Sequence, residues 1–372
     1  MAQILVVNAG SSSVKLSLIG PGDDVLAARE LDAPRSTIDP EELRAALGEG
    51  LGDADVVGHR IVHGGERFRE AVRIDSDVER ELHDLVDLAP LHQPKSLAAL
   101  AAVSEALPDV PAVACFDTAF HATLSLAART YALPAQLRER WHTRRYGFHG
   151  LSHGWVARRA PEVLGVRPAG LRIVSCHLGA GASLCAIGSG ESCATTMGFT
   201  PLEGLVMATR SGSVDPGLLL WLLEHTGMSE RELAYVLEHE SGLLGLAGTA
   251  DMREVIARHE AGDLDARVAL AVYLDRLREG IAAMATAFAG LDVLVFTGGV
   301  GERSAKIRAG AAAGMRFIGI AIDDERNEDA QGDAEITLEG ASVRTLVLTS
   351  HEDLEIARQS RAVLKRNHVN DP

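Results

Sequence analysis

Two arginines in this chain stand among small residues. Arg60 lies in Gly58-His59-Arg60-Ile61-Val62-His63-Gly64-Gly65, and Arg210 in Thr209-Arg210-Ser211-Gly212. A guanidinium with small neighbours lets a ligand come close, and its planar fork matches a carboxylate or a phosphate. For one arginine taken alone, a surface position is the commoner reading. His149 lies in Gly147-Phe148-His149-Gly150. A lone histidine is usually structural, yet glycines on both sides are costly unless the backbone must approach something closely. Asp117 follows the apolar run 110–116, and Glu352 follows another at 346–349. A carboxylate at a strand end suits Mg2+, which keeps several waters and takes one or two carboxylates. For Glu352 the alternative, an acid in the first turn of a helix stabilised by the helix dipole, is the slightly commoner reading.

Three Gly/Ser turns add to these side chains: 8–13, 177–183 and 298–302. Such turns turn backbone N–H groups toward an anion. One would be a plain tight turn; three in one chain point to phosphate. The P-loop string is absent and the first strand carries no dinucleotide fingerprint, so the phosphate binder is of another architecture.

The elements that must position these groups alternate between strand and helix. Residues 4–7 and 14–18 read as strands around the polar tip 8–13, and 171–176 and 184–187 repeat the pattern around 177–183. Asn8 and His177 hold the same place in the two hairpins, 169 residues apart, which indicates a duplicated α/β domain. Further strands are expected at 56–62, 110–116, 291–297 and 346–349. Helices are expected at 76–88, 96–107, 152–160, 229–240, 264–289 and 353–365. The chemistry-bearing residues fall after strands, where open α/β sheets bind ligands. Residues 323–342 read as an uninformative polar loop.

Composition excludes several classes. The 372 residues suit two or three domains, and 47% apolar residues suit a sizeable core. With 36 basic and 52 acidic residues the formal charge is −16, which opposes nucleic acid and anionic lipid. Four cysteines, at 115, 176, 185 and 193, lack zinc or disulfide-framework spacing. No stretch reads as a signal peptide or a membrane span, so a cytoplasmic protein is expected.

Taken together, the motifs resemble those of the acetate kinase family, whose members act on acetate or propionate. The matching strings include ILVVNAGSSSVKLSL (4–18), GHRIVHGGE (58–66), APLHQP (89–94), CFDTAFHAT (115–123), RRYGFHGLSH (144–153), SCHLGAGAS (175–183), TTMGFTPLEGLVMATRSGSVDP (195–216), DMREV (251–255), VFTGGVGER (295–303) and HEDLEIA (351–357). The resemblance implies an α/β fold of duplicated actin-like ATPase domains, with ribonuclease H-like lobes and the nucleotide in the interdomain cleft. One lobe would be 1–120 plus 355–372, the other 121–354. It implies Asn8 and Glu352 at the metal site, for Mg2+ or Mn2+ in its place. It implies Asp117, His149 and Arg210 as catalytic residues. Arg60, Val62, Leu91, Phe148 and Pro201 would bind the short-chain carboxylate. ATP or ADP would meet Lys15, the turn His177, Leu178, Gly179, Ala180 and Gly181, the segment Asp251, Met252 and Arg253, and the turn Gly299, Val300, Gly301, Glu302 and Arg303. A homodimer is also implied.

Departures from the family pattern fall at Ala180, Gln93 and Arg303, each where Asn is usual, and at Ser213, where Asp is usual. His351-Glu352-Asp353 replaces Asn-Glu-Glu. A lost hydrogen bond to a charged group costs about 1–3 kcal/mol, roughly tenfold to a hundredfold in nucleotide affinity. The implied reaction is reversible phosphoryl transfer between ATP and acetate, giving acetyl phosphate and ADP. The alternatives are a related kinase for another acid or a sugar, and a nucleotide-binding module without catalysis.

Overall fold

A computed structural model of the chain describes residues 2–10, 13–32, 39–89 and 93–370. It divides into two compact units. Unit 1 comprises residues 1–122, 148–155 and 351–372, and unit 2 comprises 123–147 and 156–350.

Unit 1 is built on strands β1 (Ile4–Ala9), β2 (Ser13–Ile19), β3 (Val25–Asp32), β4 (Val56–Ile61), β5 (Val72–Arg73) and β6 (Ala112–Phe116), in the order β3-β2-β1-β4-β6-β5. The first three form an antiparallel meander; β1, β4 and β6 run parallel, and β5 returns antiparallel to β6. Period-two alternation sends successive β1 side chains to opposite faces. Leu5, Val7 and Ala9 enter a core that includes Ala99 and Val103 of the helix Gln93–Ala106. Ile4 and Val6 enter another with Ile356, Ala357 and Val363 of the helix Glu352–Asn370. Helices therefore cover both faces of the sheet.

Unit 2 repeats the plan. Its strands are β7 (Arg172–Leu178), β8 (Ala182–Gly188), β9 (Glu191–Thr195), β10 (Val293–Thr297), β11 (Ala334–Glu335) and β12 (Arg344–Val347), in the order β9-β8-β7-β10-β12-β11. Directions match those of unit 1 strand for strand: a meander, two parallel additions and a short antiparallel edge. Asn8 pairs with Lys15 across the first hairpin and His177 with Ser183 across the second. Each is the penultimate residue of its strand, as the 169-residue spacing predicts.

The compact units are not bounded as the expected lobes: residues 121–122, 148–155 and 351–354, expected in the lobe 121–354, belong to unit 1. There Gly150 N–H bonds to the Asp117 carbonyl at 2.8 Å, and Trp155 packs edge-on to His351. Three expectations need correction. The segment 298–302 is not an open turn but the start of a helical turn, Gly298–Arg303. The run 229–240 changes from α-helix Glu230–Tyr235 to a π-helical turn, Val236–Glu240. Residues 323–342 are structured: they hold the helix Asp324–Glu328 and β11, and their Asn327 is buried.

Candidate active site

In unit 1 the carboxyl ends of β1, β4 and β6 bring Asn8, Arg60 and Asp117 together, and the start of the C-terminal helix adds Glu352. Arg60 grips Asp117 side-on: Nε donates to Oδ1 and Oδ2 at 3.2 and 3.1 Å, and Nη2 donates to Oδ2 at 2.7 Å. Its Nη1 donates to Asn8 Oδ1 at 3.0 Å and lies 3.8 Å from Glu352 Oε2. Asn8 Nδ2 donates to Glu352 Oε2 at 3.2 Å. Burial works against the Arg60 charge, but Asp117 and Glu352 beside it carry its pKa above the ordinary arginine value. Burial pushes the Asp117 carboxyl up, and Arg60 opposes it. Side-on, bidentate contact is the geometry of a guanidinium with a carboxylate. One N–H on each Nη then has no hydrogen-bond partner among the described residues, an edge of the right shape for a second carboxylate.

His149 carries a strained backbone, φ +56°, immediately before the helix Gly150–Leu164. Positive φ in a bulky residue persists only where surroundings enforce it, and functional sites are where it collects. The next residue, Gly150, makes a close contact of its own, its N–H donating to the Asp117 carbonyl at 2.8 Å. A Cβ on Gly150 would stand 2.2 Å from the Asp117 carbonyl oxygen, so only glycine lets the two backbones meet. Phe148 is buried, its ring edge-on to His63 at 5.6 Å, and its carbonyl accepts from His121 Nε2 at 2.9 Å. Val62 is half-buried just past β4. Gln93 was singled out only as a departure. It is fully buried and bonds both ways to the His63 backbone, accepting from N–H at 3.1 Å and donating to the carbonyl at 3.2 Å. Leu91 lies outside the described residues, as do His92 and two residues of the first Ser-rich turn. Lys15 is exposed on β2.

Unit 2 carries Arg210, Pro201 and a cavity of about 1340 Å3. Two glycine-bearing turns meet at its edge. A Cβ on Gly298 (φ +77°) would stand 2.8 Å from the Leu178 carbonyl oxygen, so this glycine lets the helical turn close on the end of β7. Gly179, Ala180, Asp251, Met252, Arg253, Gly299, Val300, Glu302 and Arg303 line the cavity; His177, Leu178, Gly181 and Gly301 do not. Those four lie in or against the strand ends beneath it. Asp251 caps the helix Met252–Glu260 and pairs with Arg253, whose hydrogen bonds hold its carboxyl down to about 2.

Several lining residues gave no sequence signal. Ile256 and Ala257 supply an apolar wall, and Ala330 and Gln331 come from the segment read as an uninformative loop. Arg308 is buried. Its Nη1 donates to the carbonyls of Gly301 and Glu302 at 3.0 and 2.7 Å, and its Nε to Asn327 Oδ1 at 2.7 Å. It thereby ties the Gly298–Arg303 turn to the helix Asp324–Glu328. Arg210 forms an ion pair through Nε with Glu238 Oε2 at 2.9 Å. Burial lowers the Arg210 pKa and Glu238 opposes the shift. Nothing local in the sequence marks Glu238, because its partner lies on a loop 28 residues earlier.

Comparison with known proteins decides the family. The model of the acetokinase family matches residues 36–358. The chain belongs to the acetokinase family. An acetate kinase of Acetivibrio thermocellus is 40% identical, over 97% of this chain and 99% of that protein. Among solved structures, the acetate kinase of Porphyromonas gingivalis is 35% identical with a TM-score of 0.89, covering 98% of this chain and all of that one. A propionate kinase of Francisella tularensis is 34% identical with a TM-score of 0.90, at the same coverage. The acetokinase fold is thus the α/β architecture of two matching sheets described above.

Among the described residues, no three or more His, Cys, Asp and Glu side chains gather as a metal cluster. The Asn8 amide oxygen and the Glu352 carboxylate do suit Mg2+, which binds through one or two protein oxygens and keeps its waters. No helix among the described residues is long and apolar enough to cross a membrane.

Proposed function

We propose that the protein is an acetate kinase, transferring the γ-phosphoryl group of ATP to acetate and, in reverse, from acetyl phosphate to ADP. The observation that carries this reading is the Arg60 guanidinium, held side-on by Asp117 with an outer edge, one N–H on each Nη, that has no hydrogen-bond partner among the described residues.

Arg60 binds the substrate carboxylate through that edge. A carboxylate oxygen attacks phosphorus in line, a P–O bond forms, and the bond to the ADP oxygen breaks. Acetate is already ionised at neutral pH, so no proton need move and no general base is required. Asp117, committed to Arg60, is an orienting group. The protein's contribution is position and charge stabilisation. His149 and Arg210 are assigned to the oxygens of the transferred group. Asn8 and Glu352 would hold Mg2+ or Mn2+ with its waters, and the ion supplies charge neutralisation to the phosphates when bound. Val62, Leu91, Phe148 and Pro201 are assigned to the acyl methyl group. Lys15, His177, Leu178, Gly181 and Gly301 join the cavity-lining residues in the nucleotide assignment. The cavity is of a size to take a whole nucleoside triphosphate.

The protein is assigned to the cytoplasm as a homodimer. Its four cysteines are free thiols, as in a reducing compartment. The helix Pro216–Thr226 buries none of its residues and exposes Leu218, Leu220 and Trp221. A helix apolar on all sides is normally covered, and a second copy of the chain would cover it. Sedimentation of Trp221→Glu at half the native mass supports this; a native protein that sediments as a monomer overturns it.

Hydroxamate capture of acyl phosphate tests the activity, with ATP, Mg2+ and acetate, propionate or butyrate in parallel. Product from acetate, abolished in Arg60→Ala, is expected. Folded protein that binds ATP and phosphorylates none of the acids overturns the reading.

A further inference from the structure

Arg210 stands on a segment, 201–215, that has neither helix nor strand. Its backbone is nevertheless pinned on both sides to residues 237–243. Ser211 N–H donates to the Leu237 carbonyl at 3.0 Å, Ser241 N–H to the Thr209 carbonyl at 2.9 Å, and Leu243 N–H to the Met207 carbonyl at 2.9 Å. Thr209 Oγ1 donates to the Glu238 carbonyl at 2.8 Å. Gly242 makes the approach possible: a Cβ there would stand 2.2 Å from the Met207 oxygen and 2.6 Å from that of Arg210.

The backbone alone does not aim a guanidinium, because four side-chain torsions separate it from Cα and leave many rotamers open. Glu238 supplies the missing constraint. It lies in the π-helical turn Val236–Glu240, only 8% exposed, with its Oε2 2.9 Å from Arg210 Nε. Single π turns recur at functional sites because the extra residue redirects a side chain. The contact is at Nε. At the other end of the guanidinium, Nη1 has only long contacts, 3.4 Å to the Pro201 carbonyl and 3.8 Å to Met207 Sδ. Nη2 has no hydrogen bond among the described residues.

We propose that Glu238 is a positioning residue for phosphoryl transfer, holding Arg210 by its Nε so that both Nη groups are presented to the transferred phosphoryl. This rests on the assignment of Arg210 to that group. A guanidinium that must find its place anew in each turnover slows the chemical step more than it weakens binding, since a misplacement of about 1 Å costs about 10²-fold.

The test is steady-state kinetics of Glu238→Ala, Glu238→Asp, Glu238→Gln, Arg210→Ala and the double variant Arg210→Ala/Glu238→Ala. Glu238→Ala and Glu238→Asp should lower kcat by about 10- to 100-fold, with the KM values for acetate and ATP within about threefold of native. Aspartate keeps the charge but draws it back by a methylene. Glutamine keeps an acceptor at the same reach, so Glu238→Gln should recover kcat to within about fivefold. Arg210→Ala should lose about 10³-fold, and adding Glu238→Ala should cost nothing more, because the two act as one unit. Native kcat in both Glu238→Ala and Glu238→Asp, with Arg210→Ala inactive, overturns the role of Glu238 alone. An equal loss from Glu238→Ala in both backgrounds also overturns it. Near-native turnover in Arg210→Ala overturns the assignment of Arg210 itself.

Discussion

The backbone N–H of Gly150 donates to the carbonyl oxygen of Asp117 at 2.8 Å, and a methyl group on Gly150 would lie 2.2 Å from that oxygen. Two residues assigned to the reaction, Asp117 and His149, are thus joined through one glycine. Gly150→Ala forces the helix start away from the end of β6. Overpacking of this kind costs about 1–3 kcal/mol, readable as a lower denaturation midpoint. It also moves His149, so kcat should fall more than tenfold in the folded variant. An unchanged midpoint with native kcat would show that the turn yields freely.

The Arg60–Asp117 pair makes a second prediction. Asp117→Asn leaves an oxygen to accept from Arg60 but removes the countercharge and one bond of the side-on pair. The acetate KM should rise and kcat should fall by about 10²-fold, the scale of lost orientation. Because the two side chains act as a unit, Arg60→Ala/Asp117→Asn should be no slower than Arg60→Ala. A double variant markedly slower than Arg60→Ala would give Asp117 a separate role, such as proton transfer.

Val62 follows β4 two residues after Arg60 and is half-buried. Val62→Ala removes two methyl groups beside the assigned acyl site. One methylene in an apolar pocket is worth roughly tenfold to 200-fold in discrimination. The ratio of kcat/KM for propionate to that for acetate should rise about tenfold. An unchanged chain-length profile would remove Val62 from the pocket.

His59 is fully buried on β4, and neither ring nitrogen has a hydrogen-bond partner among the described residues. Burial lowers its pKa to about 3, and that of His63 to about 4. Unfolding restores an ordinary histidine, near 6.5. The unfolded chain therefore binds the extra protons first, and stability falls as pH drops from about 6.5 toward 3. Above pH 6.5 the ring is neutral in both states and contributes no slope. His59→Leu should flatten this acid limb while leaving stability at pH 8 equal or higher. A limb as steep as the native one would assign the acid sensitivity to other groups.

Much of the fold was legible in the sequence where side chains alternate. β1 and β2 show the period of a half-buried hairpin, and the Gly/Ser tip at 177–183 repeats it. β3 was missed because six of its eight residues are exposed, which is the pattern of an edge strand and carries no apolar rhythm. The helix Pro216–Thr226 was missed because it is apolar all round and shows no periodicity either. Arg60, Asp117, His149 and Glu352 stood out by type and by their places at strand or helix ends. That Asp117 grips Arg60 was not readable, since 57 residues separate them and only the parallel pairing of β4 and β6 brings them together. Glu238, Arg308 and Asn327 were invisible for the same reason: their roles are set by long-range packing and leave no local pattern.

The C-terminal helix Glu352–Asn370 lies against β1, β4 and β6, and its Arg361 reaches back to Asp23. A ribosome delivers residues in order, so the first strand of this protein is made some 350 residues before the helix that covers one of its faces. Residues 156–350, all but a short piece of unit 2, emerge as one uninterrupted stretch in that interval. Domains fold as units during synthesis, and this threading reverses the usual sequence. The half begun first is the half finished last, and until that helix emerges Ile4 and Val6 wait with an apolar face uncovered.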